Sequence, residues 1–128
     1  MTRPYKPSGY NSVSPYLIVA HATATLEFLT TVFNAVVLHR YATETGGVLH
    51  AEIRLDDTVI MIADANPGWP VAPAHVHVYV ADVDATWAKA LAAGGTSVQE
   101  PVKKQDADKR GGVKDPGGTT WWIATRVE

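Results

Sequence analysis

The chain repeats itself once, without a gap, at a fixed displacement along the sequence. The segment "LIVAHATAT" (17–25) aligns with "VYVADVDAT" (78–86), which matches Val19 with Val80 and Ala24 with Ala85. The same displacement of 61 residues aligns "DDTVIMIA" (56–63) with "GGTTWWIA" (117–124). Because one displacement serves both ends of each half, the sequence predicts a single structural unit that is used twice.

Both halves predict the same order of elements. A strand (13–19; 75–80) precedes a helix (about 23–34; about 84–94), and three strands follow (36–43, 47–55 and 58–63; 96–99, 110–114 and 119–125). Apolar residues recur at helical spacing in both helices. We expect Thr23 and Asp84 to be the N-caps, and Gly94 with Gly95 to end the second helix. Each half is therefore predicted to be a βαβββ module.

The boundaries follow from a segment rich in proline. "NPGWPVAP" (66–73) separates module one, at about 13–65, from module two, at about 74–126. A chain of 128 residues is in the size range of one compact domain. We expect a single α+β domain that spans residues 1–128.

Composition narrows the classes of partner and metal site. A formal net charge of −2 gives no electrostatic reason to expect nucleic acid or an anionic membrane. The absence of cysteine excludes disulfides and thiolate ligands. The first residues lack the apolar run of a signal peptide, so we expect a cytoplasmic protein that binds small molecules.

Strand alternation places three polar aromatic rings together. In "HVHVY", His75, His77 and Tyr79 share one face, and Val76 and Val78 share the other. The valines are the better surface for packing a helix. The three rings are therefore predicted to face away from the helices.

Four segments carry a resemblance to a known superfamily. In order, they are "GYNSVSPYLIV", "LHAEIRLDDTVIMIADA", "HVYVADVDATWAKALAAGG" and "RGGVKDPGGTTWWIATRVE". They resemble the PhnB-like branch of the vicinal oxygen chelate superfamily, which includes glyoxalase I, extradiol dioxygenases and bleomycin resistance proteins. The resemblance implies two modules that form a curled mixed sheet around a cup, with helices outside.

The resemblance and the strand alternation together give an expected lining for this cup. Trp69 in the linker is expected to be a lid or a subunit contact, and Trp121 should belong to the core. Arg110 matches an arginine of the family and could grip an anionic group, although its loop is also typical of a solvated segment. The expected ligand pocket consists of Tyr16, Ile18, Met61, His75, His77, Tyr79, Trp122, Arg110 and Trp69.

The superfamily usually holds a metal through the first and last strands of each module. Those positions project here onto Ser14, Met61, His75 and Trp122. Only the histidine is a competent ligand for Zn²⁺, Ni²⁺, Mn²⁺ or Fe²⁺. The sequence therefore favours no metal cofactor and no metal ligands.

A rebuilt metal site remains the alternative. His75 and His77 could chelate one divalent ion together, with Glu52 or His50 as a third ligand. Otherwise, nearby hydroxyls such as those of Tyr16 and Tyr79 would satisfy the two histidines.

His50 and Glu52 share one face of the third strand in "LHAEI". A carboxylate that faces an apolar cup would have a raised pKa and could act as an acid or base. An ordinary cross-strand hydrogen bond or ion pair, for example with Arg40 or Arg54, is the simpler interpretation.

Two functions of different class follow. One is a metal-free protein that sequesters a drug or metabolite, as bleomycin resistance proteins do. The other is a divalent-metal-dependent lyase, isomerase or dioxygenase-like enzyme. The resemblance also implies a homodimer with its cups between the subunits. Catalytic residues are not identified by any local motif.

Overall fold

The computed structural model describes residues 3–128 and contains the βαβββ unit twice. The first unit consists of β1 (Tyr16–Val19), α1 (Ala22–Phe33), β2 (Val36–Ala42), β3 (Val48–Leu55) and β4 (Thr58–Asp64). The second consists of β5 (His75–Tyr79), α2 (Val83–Ala92), β6 (Thr96–Lys103), β7 (Asp108–Lys114) and β8 (Thr120–Arg126). Each unit forms a four-stranded mixed sheet, in the orders β1-β4-β3-β2 and β5-β8-β7-β6. The predicted α+β fold with two similar modules is confirmed.

The sequence repeat is preserved in the strand register. β1 pairs in parallel with β4 and places Tyr16 opposite Met61. β5 pairs in parallel with β8 and places His77 opposite Trp122. Both members of the second pair lie 61 residues after their counterparts, so equivalent positions of the two modules occupy equivalent places in their sheets.

The helix-covered faces of the two modules share one hydrophobic core. Leu17 and Ile62 of module one belong to the same buried cluster as Trp121 and Ile123 of module two. The rings of Phe33 and Trp121 lie 5.8 Å apart across the boundary between the modules. The expectation that Trp121 belongs to the core is confirmed, and the opposite face of each sheet lies away from this core.

The predicted N-caps are wrong. α1 begins after His21, whose side chain makes no capping bond, and α2 begins after Asp82, whose carboxylate accepts from the Ala85 amide at 3.1 Å. The first amide of α1, that of Ala22, donates instead to Asp64 Oδ1 at 2.8 Å. This cap comes from β4, 42 residues away, so local spacing could not reveal it. The predicted glycine stop is confirmed, since α2 ends at Ala92 and Gly94 has a φ of 101°.

β6 is longer than predicted, because it continues through Pro101 to Lys103. A proline cannot donate to a sheet ladder, but β6 lies at the edge of its sheet, where this is tolerated. The pairing of β6 with β7 shifts register on both sides of Gln99. β1 is shorter than predicted and starts at Tyr16.

A buried carboxylate fixes the turn between β7 and β8. Asp115 is 4% exposed, and its Oδ1 accepts from the Gly117 amide at 2.7 Å. Its Oδ2 accepts from Trp121 Nε1 at 2.7 Å. These bonds anchor the start of β8 and so hold Trp122, the next residue, in place on the opposite face of the sheet.

Candidate ligand-binding site

The outward face of module two carries a paired indole and imidazole. Trp122 Nε1 donates to His75 Nδ1 at 3.0 Å, and the two rings are stacked with centroids 6.2 Å apart at 16°. Gly112 lies opposite Trp122 in the neighbouring strand, and a Cβ at that position would be 2.8 Å from the indole. The missing side chain lets the indole lie against β7 with its other face directed outward.

His77 is held by an arginine. Arg110 Nε donates to His77 Nε2 at 3.0 Å, so that nitrogen acts as an acceptor. Burial lowers the pKa of His77, and the nearby Arg110 charge lowers it further. The ring is therefore held in its neutral form.

The same arginine is bound by two carboxylates. Arg110 Nη1 donates to Asp106 at 3.1 Å, and its Nη2 donates to Asp108 at 2.9 Å. Tyr79 also donates to Asp108, at 2.7 Å, and this hydrogen bond raises the pKa of the phenol. An anionic ligand group would have to displace these carboxylates from Arg110, which argues against the anion grip that the sequence left open for this arginine.

The histidine partners differ from the expected hydroxyls. The hydrogen-bond partner of His75 is Trp122 and that of His77 is Arg110, in place of the Tyr16 and Tyr79 hydroxyls. The side chains of His75, His77 and Tyr79 are nevertheless exposed to solvent and share one face of β5, as the alternation predicted. Tyr79 is 64% exposed in a single chain.

The outward face of module one is partly covered. Tyr16 is 43% exposed and lies against Trp69, with ring centroids 5.3 Å apart. Met61 is half-buried beside it, whereas Ile18 is only 6% exposed. The amide of Ala72 in the linker donates to the Ile18 carbonyl at 3.1 Å, so the linker runs alongside this strand.

His50 and Glu52 bind each other and two tyrosines. His50 Nε2 lies 2.9 Å from Glu52 Oε2, and His50 Nδ1 lies 2.9 Å from the Tyr16 hydroxyl. Glu52 Oε1 accepts a hydrogen bond from Tyr10. Arg40, one of the two arginines suggested as a partner of this pair, donates instead to Thr23 Oγ1 at 2.8 Å. No pattern in the sequence pointed to Tyr10, which precedes the first strand.

The pKa of Glu52 is shifted downward, opposite to the direction that an acid or base role in an apolar cup would require. Hydrogen bonds from Tyr10 and His50 lower the pKa of Glu52, and they outweigh the effect of burial. Hydrogen bonding to the ionised form favours that form. The same interaction raises the pKa of Tyr10 to about 12, so Tyr10 stays protonated and donates.

The donors present do not fit the metal site that the fold family implies. Methionine and tryptophan occupy the last-strand positions, and the facing nitrogens of His75 and His77 already accept hydrogen bonds. Within residues 3–128, the structure gathers no group of three histidine, aspartate or glutamate side chains able to hold a metal ion. The alternative set of His75, His77 and Glu52 is thus not assembled in one chain.

A groove of about 350 Å³ opens between the modules. The turn from β3 to β4 forms one wall, and β5 forms the other. Of the expected lining, only His77 and Tyr79 border it. The groove therefore reaches the edge of the outward face of module two from the helix side.

In the described part of the chain, neither helix is long and apolar enough to cross a membrane.

Comparisons with known proteins agree with this architecture. The family profile described as "Glyoxalase/Bleomycin resistance protein/Dioxygenase superfamily" matches residues 10–123. An uncharacterized protein of Mycobacterium bovis is 32% identical over an alignment of 130 positions, and the alignment covers 91% of this chain and 84% of that protein.

Two solved structures show the same fold. The PhnB protein from Bacillus cereus has a TM-score of 0.71 at 19% identity, covering 90% of this chain and 99% of that chain. TnmS3, an antibiotic binding protein from Streptomyces sp. CB03234, has a TM-score of 0.67 at 17% identity, covering 91% of this chain and 99% of that chain. The sequence match extends over most of the chain and coincides with the paired βαβββ modules. The chain therefore belongs to the glyoxalase/bleomycin resistance protein/dioxygenase superfamily.

Proposed function

We propose that this protein binds a small, planar or amphipathic molecule without a resident metal, and so sequesters a drug or metabolite. The observation that carries this proposal is that both histidines on the outward face of module two already accept hydrogen bonds from other side chains. His75 Nδ1 accepts from Trp122, and His77 Nε2 accepts from Arg110. These hydrogen bonds fix the two imidazole rings and the Trp122 indole in place, which leaves an aromatic surface with polar edges. Such a surface is typical of a small-molecule site.

The charges near this surface favour a neutral or cationic ligand. Asp106 and Asp108 together outweigh the single positive charge of Arg110. A cationic group beside them gains electrostatic energy, whereas an anionic group is repelled. A sequestering role is in line with the likeness to TnmS3, which has the same fold and is an antibiotic binding protein.

We further propose that two copies associate and that the protein acts in the cytoplasm. The outward faces of both modules are exposed in one chain, with Tyr16 at 43% and Tyr79 at 64%. Apolar and aromatic rings on an open face are stabilised when a second surface covers them. In a homodimer that brings module one of one copy opposite module two of the other, the two faces would form opposite walls of one open cup.

Ligand-induced quenching of tryptophan fluorescence tests the binding proposal. A panel of planar cationic and neutral compounds is titrated into the wild type, Trp122→Phe and Trp87→Phe. Trp87 lies on α2 and is the matched control, because its loss also removes one indole. Quenching should depend on Trp122 and persist without Trp87. Equal quenching in wild type and Trp122→Phe would contradict the assigned surface.

A further inference from the structure

The outward face of module one contains a continuous chain of four polar side chains. Tyr10 donates to Glu52 Oε1, and Glu52 Oε2 lies 2.9 Å from His50 Nε2. His50 Nδ1 then lies 2.9 Å from the Tyr16 hydroxyl. Glu52 and His50 come from β3, whereas Tyr16 comes from β1, so the sheet itself sets this arrangement.

The direction of each hydrogen bond follows from the donors and acceptors present. An ionised carboxylate accepts only, so His50 Nε2 must carry the proton that it shares with Glu52. In a neutral imidazole, the other nitrogen, Nδ1, is then an acceptor. Tyr16 therefore donates its hydroxyl proton to His50. Glu52 thus orients the imidazole, His50 is the base, and the Tyr16 hydroxyl is the group that this base activates.

The activated hydroxyl lies in an accessible aromatic environment. Tyr16 is 43% exposed, and the Trp69 ring stands 5.3 Å from it at 60°. The ring of Tyr41 is stacked on that of His50, with centroids 6.3 Å apart at 27°. A planar ligand that contacts Trp69 would bring its polar atoms beside the Tyr16 hydroxyl.

Tyr79 on module two provides an internal comparison. It is more exposed than Tyr16, at 64%, but its hydroxyl donates to the Asp108 carboxylate instead of to an imidazole. That hydrogen bond raises the pKa of Tyr79. Exposure alone therefore predicts that Tyr79 reacts faster than Tyr16, whereas activation by His50 predicts the reverse order.

We propose that the outward face of module one is a proton-transfer site in which Tyr16 is the catalytic hydroxyl, and His50 and Glu52 are positioning residues. The Tyr16 proton passes to His50 Nδ1 while the Tyr16 oxygen takes a proton from the ligand. The imidazolium that forms is stabilised by Glu52. Return of the proton to a second position of the ligand gives an isomer and restores every group, so no co-reactant is needed. The matching substrate class is a planar compound with an acidic proton on oxygen, or on a carbon beside a carbonyl.

Labelling with 4-toluenesulfonyl fluoride tests the activation of Tyr16 on the full chain. The Tyr16 oxygen bonds to sulfur, fluoride leaves, and the phenolic proton passes to His50. Mass spectrometry measures the labelling rates of Tyr16 and Tyr79 in the same sample. Tyr16 should label faster than Tyr79, and His50→Gln should slow Tyr16 by about tenfold or more. Glutamine keeps a hydrogen-bond acceptor but is not a base, and Glu52→Gln should give a smaller loss.

The pH profile separates activation from a structural role. The titratable groups that face the His50 ring are Tyr16 from β1, Tyr41 from β2 and Glu52 from β3. In the wild type, the Tyr16 rate should rise with pH between about 5 and 8, and this rise should vanish in His50→Gln. The Tyr79 rate should be unchanged in every variant.

Either of two results would overturn the proposal: Tyr16 labels no faster than Tyr79, or His50→Gln leaves the Tyr16 rate unchanged. The hydrogen-bonded chain from Tyr10 through Glu52 and His50 to Tyr16 shares no residue with the pair of Trp122 and His75. Loss of ligand quenching at Trp122 and loss of Tyr16 labelling are therefore separate outcomes, and each bears on one proposal only.

Discussion

Trp122 Nε1 donates to His75 Nδ1 at 3.0 Å, and the two rings lie nearly parallel. This contact joins a last-strand position to a first-strand position of module two, where metal-dependent relatives would be expected to place ligands. Here one partner is a hydrogen-bond donor and the other is its acceptor. The pair forms a rigid aromatic surface instead of an ion-binding pair.

The position of the Trp122 indole should depend on Gly112. In Gly112→Ala, the added Cβ would lie 2.8 Å from the ring, so the indole must move outward. We expect ligand affinity measured by fluorescence quenching to fall about tenfold or more, as for loss of an aromatic anchor. Gly68→Ala is the control, because its Cβ would meet the nearest atom at 3.5 Å, an ordinary contact. Unchanged affinity in Gly112→Ala would argue against the role of this ring.

Asp108 should contribute more to stability than an exposed aspartate does. It is 7% exposed and accepts from both Tyr79 and Arg110, so Asp108→Asn weakens two hydrogen bonds at once. We expect the free energy of unfolding in urea to fall by roughly 1–3 kcal/mol. The matched control is Asp84→Asn, whose ion pair with Lys109 is largely exposed and should matter less. Equal losses in the two variants would count against the network.

The turn before β8 should be intolerant of a side chain at Gly117. A Cβ there would lie 2.0 Å from Thr25 Oγ1, so Gly117→Ala forces the turn away from α1. We expect a loss of roughly 1–3 kcal/mol in the free energy of unfolding. Adding Thr25→Ala removes the obstructing oxygen, so the double variant should lose less than the sum of the single variants. Strict additivity would show that the two residues are not in contact.

Stability should fall in acid because of Glu52. Its folded-state pKa lies below the ordinary value of 4.5, so the unfolded chain binds the proton more tightly. The stabilisation is present above 4.5 and is lost as the pH falls through the folded-state pKa. Urea unfolding at several pH values should therefore show a steeper acid loss in wild type than in Glu52→Gln. Tyr10→Phe, which removes the strongest hydrogen bond to the carboxylate, should give an intermediate slope; identical slopes in all three proteins would contradict this assignment.

The repeat and the local pattern predicted the two βαβββ modules, and the family resemblance implied how they are arranged. The alternation in β5 placed His75 and His77 on the outward face, and Gly94 marked the end of α2. The cap of α1 was missed because Asp64 reaches the helix only after β4 has paired beside β1. Such contacts depend on tertiary structure and leave no local spacing.

The site was predicted less completely, because its side chains choose among several partners. The run around Arg110 is typical of a solvated loop, yet Asp108 and Arg110 alternate on β7 and face the same side of the sheet. That spacing of two residues was the available signal for their ion pair. Tyr10 gave no such signal, since it lies in an irregular segment before β1, and only the folded sheet brings it to Glu52.

Metal analysis tests directly whether this protein binds its ligand without a resident metal. The protein is purified without chelators or a histidine tag, and its divalent ions are measured by inductively coupled plasma mass spectrometry beside a His75→Ala, His77→Ala double variant. We expect no stoichiometric ion in either protein. In the metal-free wild type, ligand should still quench the fluorescence of Trp122. One equivalent of Zn²⁺, Ni²⁺, Mn²⁺ or Fe²⁺ in the wild type, lost in the double variant, would contradict it.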